Sequence, residues 1–295
     1  MKKIMLFVAI VAMVSCTGSK KETQDTDPDA LQTVTFHVKA FRHALLDEDG
    51  EQAESLQVSS RRAPHATILD DVNGTALTDL FVFDGTTELI HQTSTDENFG
   101  TLTLELTHGQ HSLSFICTRA TGISVSDGIM SFGSIRPTFG RLVNLNVTSG
   151  TNSQAIALDR LSGLLQITIN DAFPASAKEI EFVINPRYSQ MDVTTLQAVN
   201  SCEWSSGRSN CASKAGQSDV SYTLHTILPS MTEEMEANVT INIYGSAGTV
   251  IYSVTIQDVR LATNTKTILS GSLFTAASAS ILVNTSWNAD IVGTW

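Results

Sequence analysis

From residue 33 onward the chain alternates apolar and polar side chains with period two, with few interruptions. In TVTFHVK (33–39), Val34, Phe36 and Val38 fall on one face and threonine, histidine and lysine on the other, the pattern of a strand with one buried side. Leu102, Leu104 and Leu106 alternate with Thr103, Glu105 and Thr107. The turn His108-Gly109-Gln110 then leads to Leu113, Phe115 and Cys117, which predicts a hairpin. The same alternation recurs over 142–147, 165–169, 180–184, 239–244 and 250–256, and the glycine-containing link 245–248 predicts a second hairpin between the last two. No stretch of twelve or more residues carries apolar spacing at three and four, so helix is expected to be a minor component. Many short, threonine-rich strands predict an all-β chain built of β-sandwiches. The polar segment SGTNSQAIA (149–157) divides it into 31–157 and 158–295.

The N-terminus departs from this pattern. Lys2 and Lys3 precede an apolar run over 4–14, eleven residues against the roughly twenty a spanning helix needs, so residues 1–15 read as a secretory signal. Cys16 follows the small Ser15 and precedes Thr17, Gly18 and Ser19, a layout that resembles the lipobox of bacterial lipoproteins. On that resemblance the cut falls before Cys16, and Cys16 carries lipid whose buried CH₂ groups contribute about 0.8 kcal/mol each. The alternative is an ordinary signal peptide that contains Cys16. Residues 16–30 are polar and form a tether, and the lipoprotein resemblance implies that it holds the folded part at an outer-membrane surface. The formal net charge of −12 becomes −14 once residues 1–15, with two lysines and no acid, are removed, which argues against a nucleic-acid partner.

Three further segments resemble one family. Leu80-Phe81-Val82-Phe83-Asp84-Gly85 looks like the strand ending in Phe-Asp of Bacteroidetes fimbrillins and their anchor or tip lipoproteins. Residues 158–165, containing Arg160, look like the strand that opens their C-terminal domain, and residues 281–295, with Trp287 and Trp295, like their closing strands. The resemblance implies two tandem transthyretin-like β-sandwiches and a surface role in cell adhesion, as a pilus subunit or an anchor or tip adhesin. It implies other fimbrial subunits as partners through strand exchange, with a host or bacterial surface receptor beyond them. In such proteins a trypsin-like cut after an arginine releases the first strand. Arg61-Arg62-Ala63, in the polar segment between the first strand and residues 77–84, stands where that cut would act, whereas an uncut anchor keeps its strand. The exchangeable strand is then an edge carrying Val34, Phe36 and Val38, with Phe41 after them.

Chemistry is sparse. There is no His-Glu-x-x-His, no Gly-x-Ser-x-Gly and no phosphate-cradling glycine loop, and no order of serine, histidine and aspartate marks a triad, so neither an enzyme nor a cofactor is expected. His108 and His111 are three apart without an adjacent acidic or cysteine partner, and read as an exposed hairpin tip rather than a metal site. Asp70-Asp71 and Asp47-Glu48-Asp49 lack the ligand spacing of a calcium loop. Cys117 is expected to be a buried free thiol. Cys202 and Cys211 are close enough in sequence to bridge a short loop in an exported protein. Between them, Trp204 either presents an indole for a sugar or packs its loop on the sandwich. The first option would make the protein a glycan-binding surface lipoprotein of a nutrient-uptake system.

Overall fold

The computed structural model describes residues 30–41, 77–275, 280–281 and 292–293. Its first half contains β1 (Leu31–Phe41), β2 (Asp79–Asp84), β3 (Thr87–Thr93), β4 (Thr101–Thr107), β5 (Gly109–Thr118), β6 (Ser124–Ser126), β7 (Ile129–Ser131), β8 (Thr138–Val147) and β9 (Ser153–Arg160). The second half contains β10 (Ser162–Ile169), β11 (Glu179–Arg187), β12 (Gln190–Asp192), β13 (Gln197–Val199), β14 (Cys202–Ser205), β15 (Ser209–Asn210), β16 (Val220–Ile227), β17 (Met235–Tyr244), β18 (Val250–Leu261), β19 (Lys266–Gly271), β20 (Ser280–Ile281) and β21 (Val292–Gly293). Helix among the described residues amounts to one three-residue 3₁₀ turn, Ala212–Lys214. The chain is therefore all-β, as its period-two pattern requires.

Seven strands of the first half hydrogen-bond in the order β3-β2-β5-β8-β9-β1-β4. β1 and β5 stand three places apart, roughly 14 Å in a flat sheet. Yet the rings of Phe36 and Phe115 lie 5.2 Å apart, and one core collects Val34, Phe36, Leu104, Leu80, Phe115 and Phe139. The sheet is thus folded onto itself. β9 makes the fold: residues 153–158 pair with β1, then Asp159 and Arg160 pair with Gly140 and Phe139 of β8.

This topology corrects two expectations. β4 and β5 do not form a hairpin. β4 pairs with β1, while β5 pairs with β2 and β8, so the turn at 108 carries the chain from one layer to the other. Alternation reports that both strands turn an apolar face inward, and it is silent on which neighbour each one takes. Nor is β1 an edge, because β4 runs antiparallel along one side of it and β9 parallel along the other. The threonines and histidine of β1 mark a solvated face of the sheet, not a free edge.

In the second half, β16-β10-β19 continues through β20 and β21, and packs against β14-β11-β17-β18, with β15 also on β11. Leu165, Ile167 and Leu269 from one layer meet Ile180, Phe182, Val239 and Ile241 from the other. The hairpin expected across 245–248 is present as β17–β18, closed by Gly248 at φ +71°.

A smaller sheet joins the halves. β6 and β7 pair in the order β13-β12-β7-β6 with strands of the second half, Met130 lying opposite Met191. Beneath it Phe81, Phe83, Ile116, Leu161, Met191 and Ile227 form a third cluster. This explains the unbroken apolar run in β2: Leu80 and Val82 enter the first core, while Phe81 and Phe83 enter the shared one. Strands of three residues are too short to show a period, and the sequence did not reveal them. β9 runs through the division expected at 157/158, and Leu158 packs in the first core.

Candidate assembly site

β1 is the element on which the sequence reading converges. Its residues 31–37 pair with 107–101 of β4, and Thr35 to Val38 pair with 153–156 of β9 before the register shifts past residue 39. Val34, Phe36 and Val38 are 0, 0 and 1% exposed. Full burial of three such side chains contributes on the order of 5–9 kcal/mol, an upper figure because unfolded chains are themselves partly compact. On the opposite face the Oγ1 atoms of Thr35 and Thr103 lie 3.2 Å apart, and Nδ1 of His37 lies 3.4 Å from Oγ1 of Thr101. Leu31, at the start of the strand, is 61% exposed. A strand so placed fills a slot with two hydrogen-bonding walls and an apolar floor.

The walls differ. β9 continues covalently into β8 pairing and then into β10. Among the described residues β4 has β1 as its sole ladder partner. The amide of Val38 donates to the carbonyl of Gly100 at 2.8 Å, so the even positions of β4 face β1 and the odd ones point outward. Side chains meet the outward groups at both ends. Gln92 donates from Nε2 to the carbonyl of Thr101 at 3.0 Å and accepts from the amide of Gly100 at 3.2 Å. At the far end Nε2 of His111 lies 2.9 Å from the carbonyl of Thr107, and Nδ1 lies 2.6 Å from Oδ2 of Asp84. The other Asp84 oxygen accepts the amide of Ser112 at 3.1 Å.

These contacts revise the reading of His111. The His111 side chain is only 10% exposed, and its acidic partner is Asp84, 27 residues earlier. Burial alone would lower the His111 pKa, but the Asp84 hydrogen bond, the Thr107 carbonyl and the Asp84 charge outweigh it and hold the value above the ordinary 6.5. Asp84 was legible only as the end of the Phe-Asp motif, and Gln92 carried no signal at all. Among the described residues no group of three or more histidine, cysteine, aspartate or glutamate side chains could hold a metal ion.

The remaining candidates are placed elsewhere. Cys16 and the Arg61-Arg62-Ala63 segment lie outside the described residues, as do Asp47, Asp70, Trp287 and Trp295. Cys117 is buried and unbonded, as expected, and burial raises its pKa far above the usual thiol range. The Cys202–Cys211 bridge is not formed, and the segment expected to be a loop is strand. β14 and β15 lie one after the other along β11, with Cys202 opposite Arg187 and Asn210 opposite Glu179. Eight strand residues separate those positions, roughly 26 Å at about 3.3 Å each, whereas a disulfide needs Cα atoms within about 7 Å. Trp204 pairs with Ile184 and packs on the second core, and the Arg187 guanidinium lies 3.8 Å from the centre of its ring. Arg187 is itself buried, and desolvation lowers its pKa to about 10. Its Nη2 donates to the carbonyl of His225 on β16 at 2.9 Å. No helix among the described residues is long and apolar enough to cross a membrane.

No protein-family model matches the chain, and no curated protein matches it. Solved structures do. A Bacteroides ovatus protein provisionally described as an adhesin is similar at TM-score 0.47 and 9% identity, over 77% of this chain and 83% of that one. The fimbrial anchor protein Mfa2 from Porphyromonas gingivalis is similar at TM-score 0.43 and 7% identity, over 90% of this chain and 100% of that one. A fimbrial assembly protein from Parabacteroides distasonis is similar at TM-score 0.38 and 9% identity, over 82% and 92% of the two chains.

Proposed function

We propose that this chain is a surface-exposed adhesion protein of fimbrial type, built of two tandem transthyretin-like sandwiches that divide just after β9, lipidated at Cys16 and assembling by replacement of β1. The observation that carries the reading is the position of β1 between two walls. An edge strand that leaves exposes one ladder and no slot. An interior strand that leaves exposes two ladders and the pockets of Val34, Phe36 and Val38, which an incoming strand with alternate apolar side chains would fill. The same position holds β1 firmly while the chain is intact, so release requires a cut in residues 42–76, where Arg61-Arg62-Ala63 offers a trypsin-like site.

Treatment of the purified protein with an arginine-specific protease is expected to cut at Arg61 or Arg62 and to produce oligomers, which an excess of synthetic peptide 31–41 suppresses. A cut product that stays monomeric, with β1 retained, sinks the polymerising version. The anchor version is tested by mass spectrometry of isolated filaments, where an intact chain with lipid on Cys16 is the expected result. The glycan-binding reading is not favoured, because Trp204 is packed on the core and overlaid by Arg187.

A further inference from the structure

We propose that β4, the weaker wall of the slot, is held by two side-chain clamps, Gln92 at one end and His111 at the other, and that the His111 clamp makes replacement of β1 depend on pH. The inference rests on the strand-replacement reading for its consequence, though not for the clamp itself. With β1 gone, β4 keeps no ladder partner among the described residues. What remains includes the burial of Leu102, Leu104 and Leu106, the turn bond from the Thr101 amide to the carbonyl of Asn98 at 2.7 Å, the two Gln92 bonds and the His111 bond to Thr107. A wall that drifts inward closes the slot, and one that frays offers an incoming strand no register. The clamps therefore decide whether the empty slot keeps its shape.

His111 can bond Thr107 and Asp84 at the same time in only one protonation state. Thr107 presents a carbonyl and Asp84 a carboxylate, and both only accept hydrogen bonds. The ring must donate from both nitrogens, so the clamped form is the imidazolium. Loss of one proton breaks a bond either to β4 or to Asp84. The neighbouring ionisable groups on the surrounding elements are Glu105 on β4, His108 in the turn and Glu88 on β3, while β8 presents Leu145 opposite His111 and β1 presents Leu31 opposite Thr107. The Asp84 carboxylate favours the cation. Because the folded pKa lies above 6.5, the clamp is fully closed below that value and opens as pH rises through the folded pKa.

The test uses the full chain and its His111→Gln and Gln92→Ala variants. Hydrogen exchange of residues 101–107, corrected for intrinsic base catalysis, should lose roughly tenfold more protection between pH 6 and pH 8.5 in the wild type than in His111→Gln, the fold-change that one hydrogen bond from a charged donor sets. Gln92→Ala should lower protection at both pH values without changing the pH dependence. Assigned nitrogen spectra of the wild-type imidazole provide a measurement that needs no variant, with both ring nitrogens protonated at pH 6. After arginine-specific cutting, binding of synthetic peptide 31–41 should weaken about tenfold over the same pH range in the wild type and stay level in His111→Gln. An imidazole that titrates at or below pH 6.5, or equal pH dependence in wild type and His111→Gln, overturns the clamp. If the cut chain takes up no peptide at any pH, the strand-replacement reading fails, and the exchange data still decide the clamp.

Discussion

β4-β1-β9 in the first half and β16-β10-β19 in the second share one arrangement, an inner strand antiparallel to its outer neighbour and parallel to a later strand. Both inner strands bury an apolar row, Val34, Phe36 and Val38 in one and Leu165, Ile167 and Ile169 in the other. Their chain context differs. β10 follows β9 after the single residue Leu161, which packs in the shared cluster, and its eight pairs with β16 run without a register shift. Gly163 lies so close to the backbone just after β18 that a Cβ there would lie 2.5 Å from the carbonyl oxygen of Ala262. β1 has a register shift after Val38, and residues 42–76 separate it from the next described segment. Both strands are paired on two sides and buried on one face, so the proposed replacement sets them apart by whether a single cut can free the strand.

The outer strands extend the contrast. A side chain donates to an outward carbonyl on each, His111 to Thr107 on β4 and Arg187 to His225 on β16. One donor is a histidine whose pKa is raised above 6.5 by the Asp84 hydrogen bond, and the other is an arginine that, with a pKa of about 10, stays charged at neutral pH.

The largest effect that can break this comparison comes from core truncation. Phe36→Ala should cost about 3–5 kcal/mol and Ile167→Ala about 2–5 kcal/mol in urea denaturation of the intact protein. After arginine-specific cutting and removal of β1, the Phe36 penalty should vanish from the remaining body while the Ile167 penalty persists. A Phe36 penalty that survives the cut ends the distinction. Gly163→Ala should cost about 1–3 kcal/mol, read as a lower thermal midpoint, because the added methyl group meets backbone rather than a yielding side chain. A smaller effect is expected from pH. The His111 pKa is raised on folding, so its contribution is complete below about 6.5 and declines as pH climbs through the folded value. Denaturation at pH 6 and pH 8.5 should show that decline in the first half and its absence in His111→Gln, with the Arg187 side of the molecule unchanged. Thiol labelling should leave stability untouched: Cys202 reacts in the native protein, while Cys117 and Cys211 wait for unfolding. Recovery of a Cys202–Cys211 disulfide from native protein would falsify the sequential placement of β14 and β15 along β11.

Much of the strand content could be read from residue order, because Leu102, Leu104 and Leu106, or Val239, Ile241 and Ile243, face one way in any extended chain. The β17–β18 hairpin was also legible, since its glycine-containing link is short and local. The β4–β5 pair looked equally good by the same criteria and was not a hairpin, because a short turn can reverse a chain within a layer or carry it between layers. The site divides in the same way. Val34, Phe36 and Val38 announced themselves by alternation, whereas Gln92 and the Asp84–His111 pair are brought together across sequence gaps that no local pattern spans.

Residue order alone established that the chain is β-structured, which faces of its strands are apolar and that Cys117 is buried, since each follows from side-chain transfer free energy repeated at period two. Tertiary structure decided that β1 lies between two walls, that Cys202 and Cys211 sit far apart along β11, and that three-residue strands of both halves share a sheet. Those outcomes depend on which strands become neighbours. Neighbour choice is settled by the packing of whole layers, and a strand's own pattern is the same whichever neighbour it finds.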